Sequence, residues 1–195
     1  DARRELRKVA LLAPELVAAR LELGCLLVQA GQAAAADREL RRAAELDPDH
    51  ATLHRCRGPL LRQRGDLSSA EQQLRRALAK DPTDATALYE LGLVLALQGR
   101  APQALHELHR VVARRPRWAG GHFALAFVAA RLDRTEQAEQ AAKRALRLKP
   151  DDPAARLLLA DLCAHQGKRA EARRHYRRFL ARVPPDLAHE QGRVG

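Results

Sequence analysis

The sequence repeats itself every 34 residues, and this period limits the possible folds more than any other feature of the chain. Prolines fall at Pro14, Pro48, Pro82, Pro116, Pro150 and Pro184, and alanines at Ala2, Ala36, Ala70, Ala104, Ala138 and Ala172, each series at that step. A turn-type residue recurs at Gly31, Gly65, Gly99, Asp133 and Gly167, and a small residue at Gly24, Gly58, Gly92, Ala126 and Ala160. Four registers sharing one period exclude coincidence. They define repeats at 17–50, 51–84, 85–118, 119–152 and 153–186. Residues 1–16 match the second half of a repeat, with Ala2, Leu6 and Pro14 in register, while 187–195 read as a tail or the start of a further repeat.

Each marker has a mechanical role. The segment before the Gly or Asp is helical in period, as in Leu88, Leu91, Gly92 and Leu95. The Gly or Asp then permits a left-handed backbone at the turn between two helices. Small residues in the first helix and alanines in the second let the two backbones approach closely. The proline cannot donate into a continuing helix and so separates one repeat from the next. Its neighbours supply turn chemistry, as in Asp47-Pro48-Asp49 and Asp81-Pro82-Thr83. Composition agrees. Apolar residues make up 46% of the chain but aromatics only 3%, with Ile and Met absent, so Ala and Leu dominate and favour helix over strand.

These residues resemble the tetratricopeptide repeat family. The Leu-Gly pairs (Leu23-Gly24, Leu91-Gly92), the turn Gly, the second-helix Ala, the large residue four later (Leu40, Leu74, Leu108, Tyr176) and the Pro all stand at family positions across residues 1–186. The resemblance implies an all-α fold, a right-handed α-solenoid of stacked antiparallel helix pairs whose first helices line a concave groove. Departures are visible. The family's aromatic near the start of the first helix is replaced by Arg20, His54, Leu88, His122 and Arg156, and Arg57 takes the place of a Leu. Gly58-Pro59 falls inside a first helix, where proline costs about 3 kcal/mol. It reads either as a tolerated kink or as a bend that reshapes the groove.

Carrying family geometry onto this chain places Leu21, Cys25, Arg55, Arg62, Tyr89, Leu93, Phe123, Phe127, Leu157 and Asp161 on the groove, a largely apolar lining. Tyr89, Leu93, Phe123 and Phe127 are expected at the centre of contact, because aromatic anchors dominate interface energetics. The family's chaperone-tail clamp resembles a set of lysines, arginines and asparagines. This chain contains no Asn, and those positions hold Leu21, Cys25, Cys56, Thr86 and Glu90, so that partner is disfavoured. An apolar groove suits an amphipathic helix or a hydrophobic peptide segment of another protein.

The net charge is +11, and Arg outnumbers Lys 30 to 5, a bias that also suits a GC-rich, bacterial-type coding sequence. Basic pairs recur at the same step, at Arg7-Lys8, Arg41-Arg42, Arg75-Arg76, His109-Arg110, Lys143-Arg144 and Arg177-Arg178, with further clusters at Arg114–Arg117 and from Lys168 to Arg182. Stacked repeats would set them as a ladder on the convex side. Attraction to nucleic acid or an anionic surface is one reading. A solvated face balanced by Glu is the favoured one, since base stacking would need aromatics beside the charge.

No phosphate loop, nucleophile elbow or paired-cysteine metal spacing is present. His106-Glu107-Leu108-His109 has its histidines three apart, not the four a zinc-protease helix requires. No enzyme, metal or cofactor is therefore expected. Cys25, Cys56 and Cys163 form no close-spaced set and read as small packing residues. Their odd number favours a reducing compartment, cytoplasm ahead of periplasm. No apolar run reaches the roughly 18 residues of a membrane span. The start at Asp1 without any Met suggests a piece of a longer chain. The expected function is a protein–protein interaction scaffold; the alternatives are a recruitment domain of a larger enzyme (glycosyltransferase, sulfotransferase or hydroxylase type) and a nucleic-acid-binding basic face. Self-association would follow if the terminal repeats lacked polar caps.

Overall fold

A computed structural model describes residues 2–13 and 15–181. Pro14, Arg182, Pro184 and the expected tail at 187–195 lie outside the described residues. Within them the secondary structure is helical throughout: α1 (Ala2–Leu12), α2 (Val17–Gln29), α3 (Ala33–Leu46), α4 (Ala51–Gln63), α5 (Leu67–Lys80), α6 (Ala85–Leu97), α7 (Ala101–Arg114), α8 (Ala119–Ala130), α9 (Thr135–Leu148), α10 (Pro153–His165) and α11 (Arg169–Leu180). The chain divides into two compact units, Asp1–Arg114 and Arg115–Gly195. In the first, α2 packs on α3, α4 on α5 and α6 on α7, with α1 against α2. Successive pairs join through α3–α4 and α5–α6, and α2, α4 and α6 lie side by side. In the second, α8 packs on α9 and α10 on α11, joined through α9–α10 and α8–α10.

Local chemistry fixes where helices start and stop. Gly31, Gly65, Gly99 and Gly167 all have φ between +71° and +82°, and Asp133, in the same register, adopts +54°. A side chain is strained there, which is why glycine dominates the position. At the other boundary, carboxylates cap the incoming helix. Asp84 accepts from the Thr86 and Ala87 amides, and Asp152 from Ala155.

The helices of a pair meet at the small residue. A Cβ on Gly24 would sit 2.7 Å from a Leu40 methyl, on Gly58 2.5 Å from Leu74, and on Gly92 2.8 Å from Leu108 Cγ. Those leucines are 0–1% exposed, so they have nowhere to retreat. The fourth pair solves the same problem differently, with Ala126 opposite the register of Ala142, both fully buried. Pro59 does not break α4, which runs unbroken from Ala51 to Gln63.

Ion pairs join consecutive pairs at a recurring position. Asp37 bridges Arg41 on its own helix (2.9 Å) and Arg64 of the next turn (3.4 Å). Glu71 does the same with Arg75 (2.8 Å) and Arg100 (2.6 Å), and Glu139 with Lys143 and Lys168. Leu105 occupies this register in the third repeat.

One expectation fails. Cys25 and Cys56 are not independent packing residues but a disulfide between α2 and α4, with Cα atoms 5.3 Å apart. Neighbouring first helices bring position 25 beside position 56, a juxtaposition hidden by a sequence separation of 31. The argument from an odd cysteine count to a reducing compartment loses its premise. Cys163 is a buried free thiol, its pKa pushed up by burial.

Two tests follow from this packing. Gly92→Ala gains about 1 kcal/mol of helix propensity but crowds Leu108, at a cost of about 1–3 kcal/mol. It is expected to destabilise the wild type and to stabilise a Leu108→Ala background. Denaturant melts of the four members of this cycle read the sign change, and the same sign in both backgrounds contradicts the close approach.

The second test concerns Glu139, whose carboxyl is held down at about 2 by Lys143 and Lys168, against an ordinary 4.5. A depressed folded-state pKa contributes stability that is complete above pH 4.5 and lost as pH falls toward 2. Glu139→Gln should cost about 1 kcal/mol at neutral pH, after screening of the half-exposed lysines. Thermal melts of the two proteins should converge below the 4.5 of a free Glu carboxyl.

Candidate protein-interaction face

The expected groove residues separate into different environments. In the first unit, Cys25, Arg55 and Arg62 come together on a cleft of about 210 Å³ that Pro59, Thr86 and Glu90 also line. Neither arginine is held out for a ligand alone. Arg55 Nε lies 3.3 Å from Asp84 Oδ2, and Arg62 Nε donates to Glu90 Oε2 at 3.0 Å. Both pairs run from α4 to the start and middle of α6. Burial raises the Glu90 pKa, although Arg62 opposes the shift. Sequence reasoning does not single out Glu90 and Asp84 as partners; the available signal is opposite charges 28 and 29 residues apart, just short of one repeat.

Leu21 is a correction to the expected lining. It is 1% exposed, enclosed with Leu23, Leu27, Leu53 and Leu60, so its side chain presents no surface to a partner. Cys25 is 6% exposed and tied in the disulfide. Tyr89 and Leu93 are half-buried on α6 and do not line the cleft. Burial raises the Tyr89 hydroxyl pKa, with the adjacent Glu90 adding to the shift.

In the second unit, Phe123 and Phe127 stack one turn apart on α8, with ring centroids 6.4 Å apart and planes tilted by 36°. Phe127 is 46% exposed, whereas Phe123 is half-buried. Leu157 is half-buried on α10. Asp161 is exposed and accepts a hydrogen bond from the Tyr176 hydroxyl at 2.6 Å. That bond, made by the charged carboxylate, raises the tyrosine pKa.

Six members of the basic ladder are paired with carboxylates. Lys8 pairs with Glu5, Arg41 with Asp37, Arg42 with Glu39, Arg75 with Glu71, Arg110 with Glu107 and Lys143 with Glu139. Among the described residues no group of three or more His, Cys, Asp or Glu side chains is placed to hold a metal ion. No helix there is long and apolar enough to cross a membrane.

A 34-residue period, glycine-turned helix pairs and side-by-side first helices define a helical-repeat protein. The chain belongs to the tetratricopeptide repeat family, whose sequence profile matches residues 21–84, 56–122 and 123–186. Among solved structures it is similar to pilF of Pseudomonas aeruginosa, at 26% identity and a TM-score of 0.76 over 93% of this chain and 78% of that one. It is also similar to TTC0263, a thermophilic tetratricopeptide protein of Thermus thermophilus, at 27% identity and a TM-score of 0.70 over 88% and 94% of the two chains. YrrB, described as a tetratricopeptide protein with an unusual peptide-binding site, shares the fold at 18% identity, with a TM-score of 0.70 over 96% and 97%. No curated protein sequence matches the chain.

The disulfide closes one wall of the first-unit cleft and is expected to matter for stability. Closing a loop over a separation of 31 residues contributes about 3–4 kcal/mol in the chain-entropy account. Thermal melts with and without a strong reductant should differ for the wild type and coincide for Cys56→Ser. A fully reduced wild type that melts where the oxidised protein does would contradict the staple.

Proposed function

We propose that this chain is a non-catalytic scaffold that holds a peptide or helix of a partner protein on a face formed by first helices within a unit, α8 of the second unit above all. The observation that carries the reading is Phe127, 46% exposed beside Phe123 and the one aromatic among the exposed large apolar side chains of the described residues. Aromatic side chains of this kind supply most of the binding energy at protein interfaces. The first-unit cleft supports the reading as well. At about 210 Å³ it falls below the roughly 300 Å³ at which small-molecule pockets begin and suits a single inserted side chain. Internal pairing of Arg55 and Arg62 leaves its rim near neutral, which favours an apolar or mixed segment over a carboxylate clamp. A peptide-binding relative of the same fold, YrrB, makes the use familiar for such arrays.

The test begins with a displayed library of random peptides selected on the intact chain. Enriched peptides should carry apolar residues at helical spacing. They should lose about 2 kcal/mol or more of affinity on Phe127→Ala, the range of an interface hot spot, while the circular-dichroism melt of that variant stays within about 0.5 kcal/mol of the wild type. Peptides that bind Phe127→Ala and Phe123→Ala as tightly as the wild type would overturn the assignment of this face.

A further inference from the structure

The repeat period allows each buried polar position to be compared with its equivalents, and one comparison does not balance. In the first repeat, Arg20 on the first helix reaches Glu39 on the second at 3.0 Å. In the second, His54 stands at the place of Arg20 and Gln73 at that of Glu39, with His54 Nδ1 2.8 Å from the amide oxygen. Each time a nitrogen donor is buried against an oxygen acceptor. In the last repeat the same two registers hold Arg156 and His175. Both are more than nine-tenths buried, at 9% and 8% exposed, and neither carries the carboxylate or amide oxygen of Glu39 and Gln73. Arg156 donates to the Pro150 carbonyl, as His122 at the same register of the fourth repeat bonds the Pro116 carbonyl. His175 Nδ1 is buried with no hydrogen-bond partner among the described residues.

The two side chains line a cleft of about 400 Å³ between α9, α10 and α11. Lys143, Arg147, Arg174 and Arg178 line it too, against one carboxylate, Glu171. Lys143 is committed to Glu139 outside the lining. Arg178 stands at a register that is Arg in every repeat, and Arg174 at one that holds Gln140, His106, Gln72 and Arg38, whereas Arg147 replaces Ala113, Ala79 and Glu45, so this cleft is the one that holds arginine at all three. Leu146, Leu159 and Pro150 form an apolar wall. A buried polar atom without a partner costs about 1–3 kcal/mol, and an oxyanion entering the cleft would supply the acceptor that Glu39 and Gln73 provide in the first two repeats.

We propose that this cleft binds a phosphomonoester, its dianionic head between Arg156, His175, Arg174 and Arg178 and its organic part against Leu146 and Leu159. Two negative charges suit an excess of several cations better than a single carboxylate does, and guanidinium forks match phosphate oxygens two at a time. The volume exceeds what a bare phosphate fills and lies within the range of small-molecule pockets, about 300–1,000 Å³. Without the anion, burial and the neighbouring Arg174, Arg156 and Arg178 depress the His175 pKa, with Glu171 opposing. A bound dianion reverses that field, so His175 takes its proton at higher pH in the complex.

Phenyl phosphate is the probe, followed by NMR of the His175 ring in the full chain at about 150 mM salt, where loose surface attraction is screened. Saturable shifts with Kd below about 1 mM and a rise in the His175 titration midpoint are expected. Benzoate should bind at least about tenfold more weakly. Arg174 and Arg178 are exposed, so R174Q/R178Q keeps the fold and should weaken phenyl phosphate about tenfold or more. His175→Gln restores the acceptor found at Gln73 and should lower affinity while raising stability in the absence of ligand. No saturation up to about 10 mM, equal responses to phenyl phosphate, benzoate and chloride, or unchanged binding by R174Q/R178Q would each overturn the proposal.

Discussion

The contact on which this architecture depends is the close approach of the two helices in each pair, where the first helix carries no side chain at Gly24, Gly58 or Gly92. A buried leucine from the second helix fills the space a Cβ would need, and a separation of under 3 Å to that virtual atom fixes the distance between the helix axes within narrow limits. Everything around it follows from that distance. The turn must close in a few residues, which demands the left-handed backbone at Gly31, Gly65, Gly99 and Gly167. The alanines at Ala36, Ala70 and Ala104 must also be small, and all three are fully buried.

Joining one pair to the next uses weaker and more varied means. Apolar burial between α3 and α4 or α5 and α6 is supplemented by the Asp37, Glu71 and Glu139 staples, each bridging a cation on its own helix and one at the turn of the next pair. Such pairs are individually modest, because at least one partner of each is exposed to solvent. Their value lies in direction. A carboxylate held from two sides fixes the rotation of one pair against the next, something non-directional apolar packing does poorly. The Cys25–Cys56 disulfide adds a covalent constraint of the same kind between two neighbouring first helices.

What can be read from the residues divides along the same line. Helix existence, turn positions and the close approach at the small first-helix residue are legible because each repeats, so five weak signals add to one strong one. The Asp133 turn is legible for the same reason, since its place in the register identifies it when its residue type does not. The disulfide is hidden because Cys25 and Cys56 sit at different positions within their repeats, and the pairing depends on how neighbouring first helices slide past each other. Leu21 is misplaced for a related reason. Family register assigns it to an outward face, while enclosure among Leu27, Leu53 and Leu60 depends on the neighbouring side chains. Arg55 and Arg62 line the first-unit cleft, but their carboxylate partners come from α6 and its cap, beyond what spacing inside one repeat reveals.

A periodic chain thus offers a control that an irregular one lacks. At any position, the other repeats show what the fold alone requires, and a departure that costs stability without improving packing points to something else. Pro59 is a departure the fold absorbs, since α4 continues through it and its ring borders the first-unit cleft. Phe123 and Phe127 depart by adding exposed apolar area at registers filled in the previous repeat by Tyr89 and Leu93. Arg156 opposite His175 departs more sharply, because an imidazole takes the place of the oxygen acceptor and its Nδ1 is buried without a partner among the described residues. The first two repeats show that a chain of this design can satisfy that site with a single Glu or Gln. Leaving His175 Nδ1 unpartnered among arginines is therefore not required by the helix pair, and the proposed dianion would supply the negative charge that Glu39 brings to the first repeat.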